Sequence, residues 1–341
     1  MRPTRIRDMK MKKLLLFVTA LCLSSLSFAQ IQVATLQHGD SIRVFYYADA
    51  FVNAYNAAVP GDVISLSAGS FTSCTINKDS LTIRGAGMDQ TFFQSSFYLG
   101  NSSSSGTDYI HTITMEGIYC GSTVNQYADV EVHFTNVYFS SYNNNSTIDN
   151  LSGQFVNCRL ANYSAGSNGT PTLINCIIGS NNNCGMSNFV NCVVRNSSFN
   201  TSASASFINS VVISTHGNYV SLPSTALAQN CIGINDYSSS QNIFSSCVNQ
   251  NNRMVTSSVF SNFTLGYMNP ERYVLTDSAQ AAYLGTDGTQ VGLYGGYCPW
   301  TSSLPYPVIS RMNVARQTTA DGRLSVDIQV GYRQESDEDN E

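Results

Sequence analysis

The chain has 341 residues, enough for one large domain or two ordinary ones, and only 11% of them are charged, well below the ~25% usual in soluble domains. Ser, Asn, Thr and Gly fill the gap, and with 19 Tyr, 17 Phe and only 8 Pro the chain is no low-complexity disordered polymer. Six of the 17 Lys/Arg and one of the 22 Asp/Glu fall in residues 1–29, leaving 11 basic and 21 acidic residues beyond them, a net charge of −10, which argues against nucleic acid and anionic membrane surfaces as partners.

Residues 1–29 read as a secretory signal. Lys10, Lys12 and Lys13 form a basic start, Leu14 to Leu23 an apolar run, and Ser27-Phe28-Ala29 a small-residue cleavage site. The expected location is therefore secreted or cell-envelope, with cleavage after Ala29. The run is shorter than the ~20 residues of a bilayer span, and no later segment qualifies, so no transmembrane segment is expected. A lipoprotein reading would centre on Cys22, but Leu21 precedes it where a small residue is required.

Residues 30–48 carry apolar and aromatic positions (Ile31, Val33, Val44, Phe45, Tyr46) that suit an initial strand. From Asp49 to Ala58 the period changes. Phe51, Ala54, Tyr55 and Ala58 fall at i, i+3, i+4 and i+7, Asp49 can serve as N-cap, and Pro60-Gly61 ends the helix. A coil of strands exposes apolar core and strand edges at its open end, so this helix is the expected cap.

The central stretch repeats itself. Phe155-Val156-Asn157-Cys158, Leu173-Ile174-Asn175-Cys176 and Phe189-Val190-Asn191-Cys192 share one pattern at 18- and 16-residue steps, a solenoid period. Aligned on Asn, the quartet extends back through Phe134-Thr135-Asn136-Val137, Met115-Glu116-Gly117-Ile118 and Ile83-Arg84-Gly85-Ala86. It extends forward through Phe207-Ile208-Asn209-Ser210, Ala228-Gln229-Asn230-Cys231 and Phe244-Ser245-Ser246-Cys247. Asn and Gly tolerate the left-handed backbone that a sharp bend between strands needs. Stacked Asn side chains are also expected to bond to one another up the ladder. The residue two before Asn and the one after it face inward.

Leaving Cys22 aside, nine Cys remain. Cys158, Cys176, Cys192, Cys231 and Cys247 are assigned to one repeat slot, where parallel side chains are poorly set for bridging; they read as small buried fillers. No Cys-x-x-Cys pair occurs and His38, His111, His133 and His216 are scattered, so no metal site or cofactor is assigned. Two residues after the Asn slot come Tyr119, Tyr138, Arg159, Ile177, Val193, Val211, Ile232 and Val248. Strand alternation turns this column outward, so an apolar row there implies a covering segment or a contact surface.

The stretch from Ala50 through Gly61-Asp62-Val63-Ile64 to Leu81-Thr82-Ile83-Arg84-Gly85-Ala86-Gly87 resembles the opening of pectin-lyase-like right-handed parallel β-helix proteins. The Asn ladder is similar to theirs. Gly285-Thr286-Asp287-Gly288 through Gly292-Leu293-Tyr294-Gly295-Gly296 resembles the terminal segment of secreted β-helix proteins of the Bacteroidetes type, and the triplets at Asp40, Asp79 and Asp277 resemble the O-glycosylation signal of those bacteria. The resemblance implies an all-β fold: a right-handed parallel β-helix (solenoid) with a short N-terminal capping helix and a C-terminal β-hairpin. The expected division is a signal peptide at 1–29, strand and capping helix at 30–62, β-helix at 63–300, C-terminal strands at 301–334 and an acidic tail at 335–341. Within the C-terminal part, Val308-Ile309 and Leu324, Val326, Ile328 and Val330 flank Asp321-Gly322 as a hairpin.

β-Helix enzymes that cleave polysaccharides need clustered carboxylates for calcium with a basic residue, or a carboxylate pair at ~5–9.5 Å. Between Ile110 and Gln250 the acids are Glu116, Asp129, Glu131, Asp149 and Asp236, and the Arg are Arg159 and Arg195, in no common column. Asp277 and Asp287 are read as turn residues rather than calcium ligands. Tyr98, Tyr109, Tyr127, Tyr142 and Tyr163 are read as loop residues for sugar stacking or protein contact, or else as packing in capping layers and loops. The expectation is a scaffold or adhesin-like binding protein for a glycan or a cell-surface or envelope protein, with no catalytic residue assigned; the alternative is a polysaccharide-active lyase or glycoside hydrolase.

Overall fold

The computed structural model describes residues 31–100, 112–126, 130–144, 152–165, 169–196, 204–215, 221–235, 242–301, 308–314 and 326–331; side chains at 144, 152, 181–183, 196, 308–314 and 326–331 are not described. Residues 1–29, read above as a secretory signal, the Ser-rich stretch at 101–106 and the acidic tail lie outside these residues. The fold is all-β. Two sheets, of 12 and 14 strands, run the length of a coil in which each turn pairs in parallel with the next. Strands of the first sheet stack in strict register, Phe134 beside Phe155, Leu173, Phe189 and Phe207 in successive turns. The result is a β-solenoid of about seven turns.

The bends follow the repeat. Gly117, Asn136, Asn157, Asn175, Asn191, Asn209, Asn230 and Asn251 all have φ between 49° and 62°, the left-handed region that Gly and Asn tolerate best. The bend reverses the direction in which the backbone donates. Before it, Asn157 N–H reaches forward to Ile174 O (3.0 Å); after it, Arg159 N–H reaches back to Val137 O (3.0 Å). The amide between them, that of Cys158, meets a side chain instead: the Sγ of Cys176 on the next turn, at 3.4 Å. The same bond recurs from Cys176 to Cys192 (3.4 Å), Cys192 to Ser210 (3.1 Å), Ser210 to Cys231 (3.5 Å) and Cys231 to Asn252 Oδ1 (2.7 Å). Each of these side chains also reaches carbonyls, as Cys176 Sγ does to Phe155 O and Ile174 O, both at 3.2 Å. The slot therefore asks for a small side chain that accepts and donates, more than the filler expected from the sequence. Ile118 and Val137 occupy it in the first turns and can make no such bond.

Within the repeat, the structure departs from the sequence expectation at three further points. The last quartet is out of register: the bend residue is Asn251, and Asn252, not Cys247, fills the slot, leaving Cys247 half-buried before the strand Val248–Gln250. Gly85 does not adopt the left-handed conformation; it is required because a Cβ there would lie 2.2 Å from Gly117 O. Ladder side chains meet each other at Asn251 Nδ2 to Asn230 Oδ1 (2.9 Å), but those of the middle turns bond elsewhere, as described below.

The interior is an aromatic spine. Phe134, Phe155, Tyr163, Phe189 and Phe207 are buried in sequence, with centroid separations of 5.0 to 6.3 Å. At the N-terminal end, residues 33–46 form two strands rather than one: β1 (Val33–His38) and β2 (Ser41–Tyr46) make an antiparallel hairpin, and β1 pairs antiparallel with β3 (Val63–Leu66). Helix α1 (Ala50–Ala57) buries Ala50, Phe51, Ala54 and Tyr55, with Phe51 against Phe93 at 5.0 Å. Asp49 sits at its N-cap position without a capping bond; its Oδ1 accepts from Thr72 Oγ1 instead (3.0 Å). Lys78 closes the other end, donating to Asn56 O (3.0 Å) and Ala58 O (2.8 Å). At the C-terminus, Val308–Val314 pairs antiparallel with Val326–Gly331, the hairpin expected there.

Candidate functional site

The outward column is real and in register. On the second sheet, Phe92, Tyr119, Tyr138, Arg159, Ile177, Val193, Val211, Ile232 and Arg253 lie side by side. Arg253 replaces the expected Val248, a consequence of the corrected register. From Ile177 to Ile232 the column is fully buried. The chain after the last turn folds back and covers it: Phe260, Tyr273, Leu275, Ala279, Val291, Leu293 and Trp300 pack with these residues and with Ile213 and Ile234 in a second apolar core. This return segment contains helix α2 (Asp277–Ala282).

The ladder fixes the return segment in place. Asn209 O accepts from Gly292 N (2.7 Å), and Asn209 Oδ1 accepts from Thr286 N (2.9 Å). Asn175 Nδ2 donates to Leu293 O and Gly295 O, both at 2.8 Å. At Asn175, Asn191 and Asn209 the residue that makes the bend thus also bonds to the backbone of the covering segment. A Cβ on Gly295 would meet Gln290 O at 1.7 Å and Asn191 Nδ2 at 2.8 Å, which explains the Gly-rich run. Asp287 Oδ1 accepts from Thr289 N (3.0 Å) and its hydroxyl (2.8 Å), an ordinary turn.

The full seal ends near Trp300, whose ring lies 5.4 Å from the Arg159 guanidinium, and Tyr138 packs against the edge of this core. Beyond it Tyr138, Tyr119 and Phe92 are only half-buried. Tyr119 and Tyr138 stack at 4.6 Å and 13°, and Phe92 follows Tyr119 at 5.5 Å. Stacked rings cover one another's faces, so they offer a partner their edges and hydroxyls. Arg159 joins this end of the column to Asp89 (4.0 Å). Burial pushes the phenols of Tyr138 and Tyr294 up, the latter to about 12, so both remain neutral hydrogen-bonding groups near neutral pH.

The other candidates are dispersed. Glu116 pairs with Arg84 (2.8 Å), Glu131 with His133 (3.4 Å) and His38 with Asp62 (2.7 Å), while Arg195 lies 4.6 Å from the Tyr267 ring centre. Asp129, Asp149, Asp236, His111 and His216 lie outside the described residues, as do Tyr109 and Tyr127. Tyr98 is 37% exposed. Tyr142 and Tyr163, taken from the sequence as contact residues, are instead core: their hydroxyls bond to Gln126 (2.5 Å) and Ser187 (2.9 Å) inside the coil. Among the described residues no group of three His, Cys, Asp or Glu could hold a metal ion, and no helix is long and apolar enough to cross a membrane. A groove of ≈ 610 Å³ beside the last turn, lined by Ile234, Asn235, Val255, Ser257, Ser258 and Tyr283 among others, brings in no charged side chain. Comparison with protein-family models, with curated proteins and with solved structures returns no match.

Proposed function

We propose that the chain is an exported β-helix scaffold that binds a glycan or an envelope protein through the open end of its outer column, at Phe92, Tyr119 and Tyr138. The observation that carries this reading is that one apolar column is treated in two ways. Ile177 to Ile232 are sealed by the return segment, while Tyr138 at its edge, Tyr119 stacked on it and Phe92 are left half-buried. A fold that covers Ile177 to Ile232 so completely leaves the aromatic part open for contact. The leader at residues 1–29 supports export, and the resemblance to pectin-lyase-like right-handed β-helices of the Bacteroidetes type supports an extracellular setting. Pairing of Glu116, Asp89 and Glu131 with separate basic partners supports binding rather than cleavage.

The test is a glycan-binding array and an envelope-protein capture, run beside a polysaccharide depolymerisation screen with and without calcium. Retention without cleavage, weakened in Tyr119→Ala, is the expected result. Release of products would overturn the binding reading in favour of a lyase or hydrolase.

A further inference from the structure

Strand edges at the ends of a coil are templates for pairing with another chain unless they are short, charged or covered. Along the main paths of the two sheets, three of the four end strands have only three residues: Gly69–Phe71, Val248–Gln250 and Arg253–Val255. The fourth is β2, six residues long, and among the described residues it has no neighbour on its outer side. It carries no Pro, Lys or acid.

The register of β2 decides which groups face outward. Tyr47 N–H donates to Gln32 O (2.8 Å), and antiparallel bonding alternates residue by residue. Odd-numbered residues therefore bond to β1, and Ile42, Val44 and Tyr46 direct their N–H and C=O groups to the free edge. The same three side chains share one face and are 65%, 46% and 54% exposed, and Tyr47 beyond them is 70% exposed with φ 73°. Phe45, on the opposite face, packs against the core.

We propose that β2 pairs with β2 of a second copy, antiparallel about a two-fold axis, joining two 12-stranded sheets end to end. The strand is self-complementary. Centred on Val44, the pairing sets Val44 against Val44, Ile42 against Tyr46 and Arg43 against Phe45. Within one chain Arg43 already lies 5.5 Å from the Phe45 ring centre. The single charge on the strand thus meets an aromatic ring rather than another Arg. All three outward-bonding residues fall at hydrogen-bonded positions in this register. In this register the exposed Ile42, Val44 and Tyr46 side chains become cross-strand neighbours of their copies on one continuous face. Closed two-fold symmetry also uses up the edge, so growth stops at the dimer.

The experiment is sedimentation velocity of the chain, as processed by its expression host, across the micromolar range. The wild type is expected to sediment as a dimer. Val44→Lys and Val44→Glu each set like charges opposite across the axis and are expected to raise the dimer Kd at least ~10-fold. An equimolar mixture of the two is expected to recover the dimer, because residue 44 faces its own copy. Val44→Pro, which removes one outward N–H and leaves the bonds to β1 intact, is expected to weaken the dimer while preserving the circular dichroism of the fold. A monomeric wild type overturns the proposal and leaves the edge to a strand from another protein. So does a dimer indifferent to Val44→Lys, or a charge-swapped mixture that stays monomeric.

Discussion

Replacing Cys176 separates a hydrogen-bonding role from a space-filling one. Its Sγ accepts from Cys158 N–H at 3.4 Å and lies 3.2 Å from two carbonyls, in a fully buried site. Cys176→Ser should keep these bonds, as Ser210 does naturally with Cys192 N–H (3.1 Å), Ile208 O (2.8 Å) and Phe189 O (3.2 Å). Cys176→Ala and Cys176→Val bracket the thiol in volume, and both leave the Cys158 amide without an acceptor, a loss of ~1–3 kcal/mol for a buried donor. Because a thiol is a weak acceptor, the lower end applies. Both variants should therefore fall about 1 kcal/mol below Cys176→Ser. Solenoids unfold by nearest-neighbour steps rather than in one transition, so urea midpoints are to be read beside hydrogen exchange at the Cys158 amide, which should speed up ~5-fold or more in the Ala and Val variants. If Val matches Ser in midpoint and in amide protection, the slot is only a filler and the side-chain ladder carries no energy.

Further consequences concern the covered column, the bends and the thiols. Val193→Lys or Val211→Lys places an unpaired charge under the return segment and should cost ~3 kcal/mol or more, or free residues 256–300 for proteolysis; unchanged stability and cleavage pattern would refute the covering. Asn209→Gly keeps the left-handed bend but loses the bonds to Thr286, whereas Asn209→Ala loses both, so Ala should melt below Gly by ~1 kcal/mol. Burial raises the thiols of Cys120 and Cys231 to about 12, and those of Cys176 and Cys192 well above their usual value. A raised folded-state pKa favours the protonated fold. This stability is complete below the unfolded thiol pKa of ~8.5–9 and is lost as pH rises from there towards 12, by up to ~1.4 kcal/mol per pH unit and thiol. A melting temperature that stays level from pH 8 to ~11 would contradict it. Native-state thiol labelling should reach the half-buried Cys74, Cys247 and Cys298 first, with Cys120, Cys158, Cys176, Cys184, Cys192 and Cys231 waiting for unfolding.

Much of the coil was legible because its bends ask for one rare conformation, and Asn and Gly announce it at each turn. The helix Ala50–Ala57 was legible for the same kind of reason, four apolar residues on one face. The last turn was misread because Phe244-Ser245-Ser246-Cys247 imitates the quartet, while the true register is carried by Val248-Asn249-Gln250-Asn251, a near copy of Leu227-Ala228-Gln229-Asn230. Matching that pair would have set Asn252 and Arg253 correctly. Tyr142 and Tyr163 lie six residues after Asn136 and Asn157 and pair with each other; alternation counted from the outward Tyr138 and Arg159 would turn them out, but the backbone breaks alternation before them, as at the bend 161–162, and both rings enter the core. The outward apolar column implied a cover or a contact surface, and the structure contains both a covered and an open part. What no period could reveal is that the cover is residues 256–300, held by the backbone-directed amides of Asn175 and Asn209. Such contacts join segments about a hundred residues apart and leave no local pattern.

The central functional claim is that the open aromatic end of the column is the binding face. Its most direct test is hydrogen exchange of the chain with and without a ligand recovered from the array or the envelope capture. New protection is expected to be confined to the strands Thr91–Phe93, Tyr119–Gln126 and Tyr138–Asn144, with Val193–Asn196 and Val211–Ser214 already protected and unchanged. Protection that appears elsewhere, with these three strands unaffected, would contradict it.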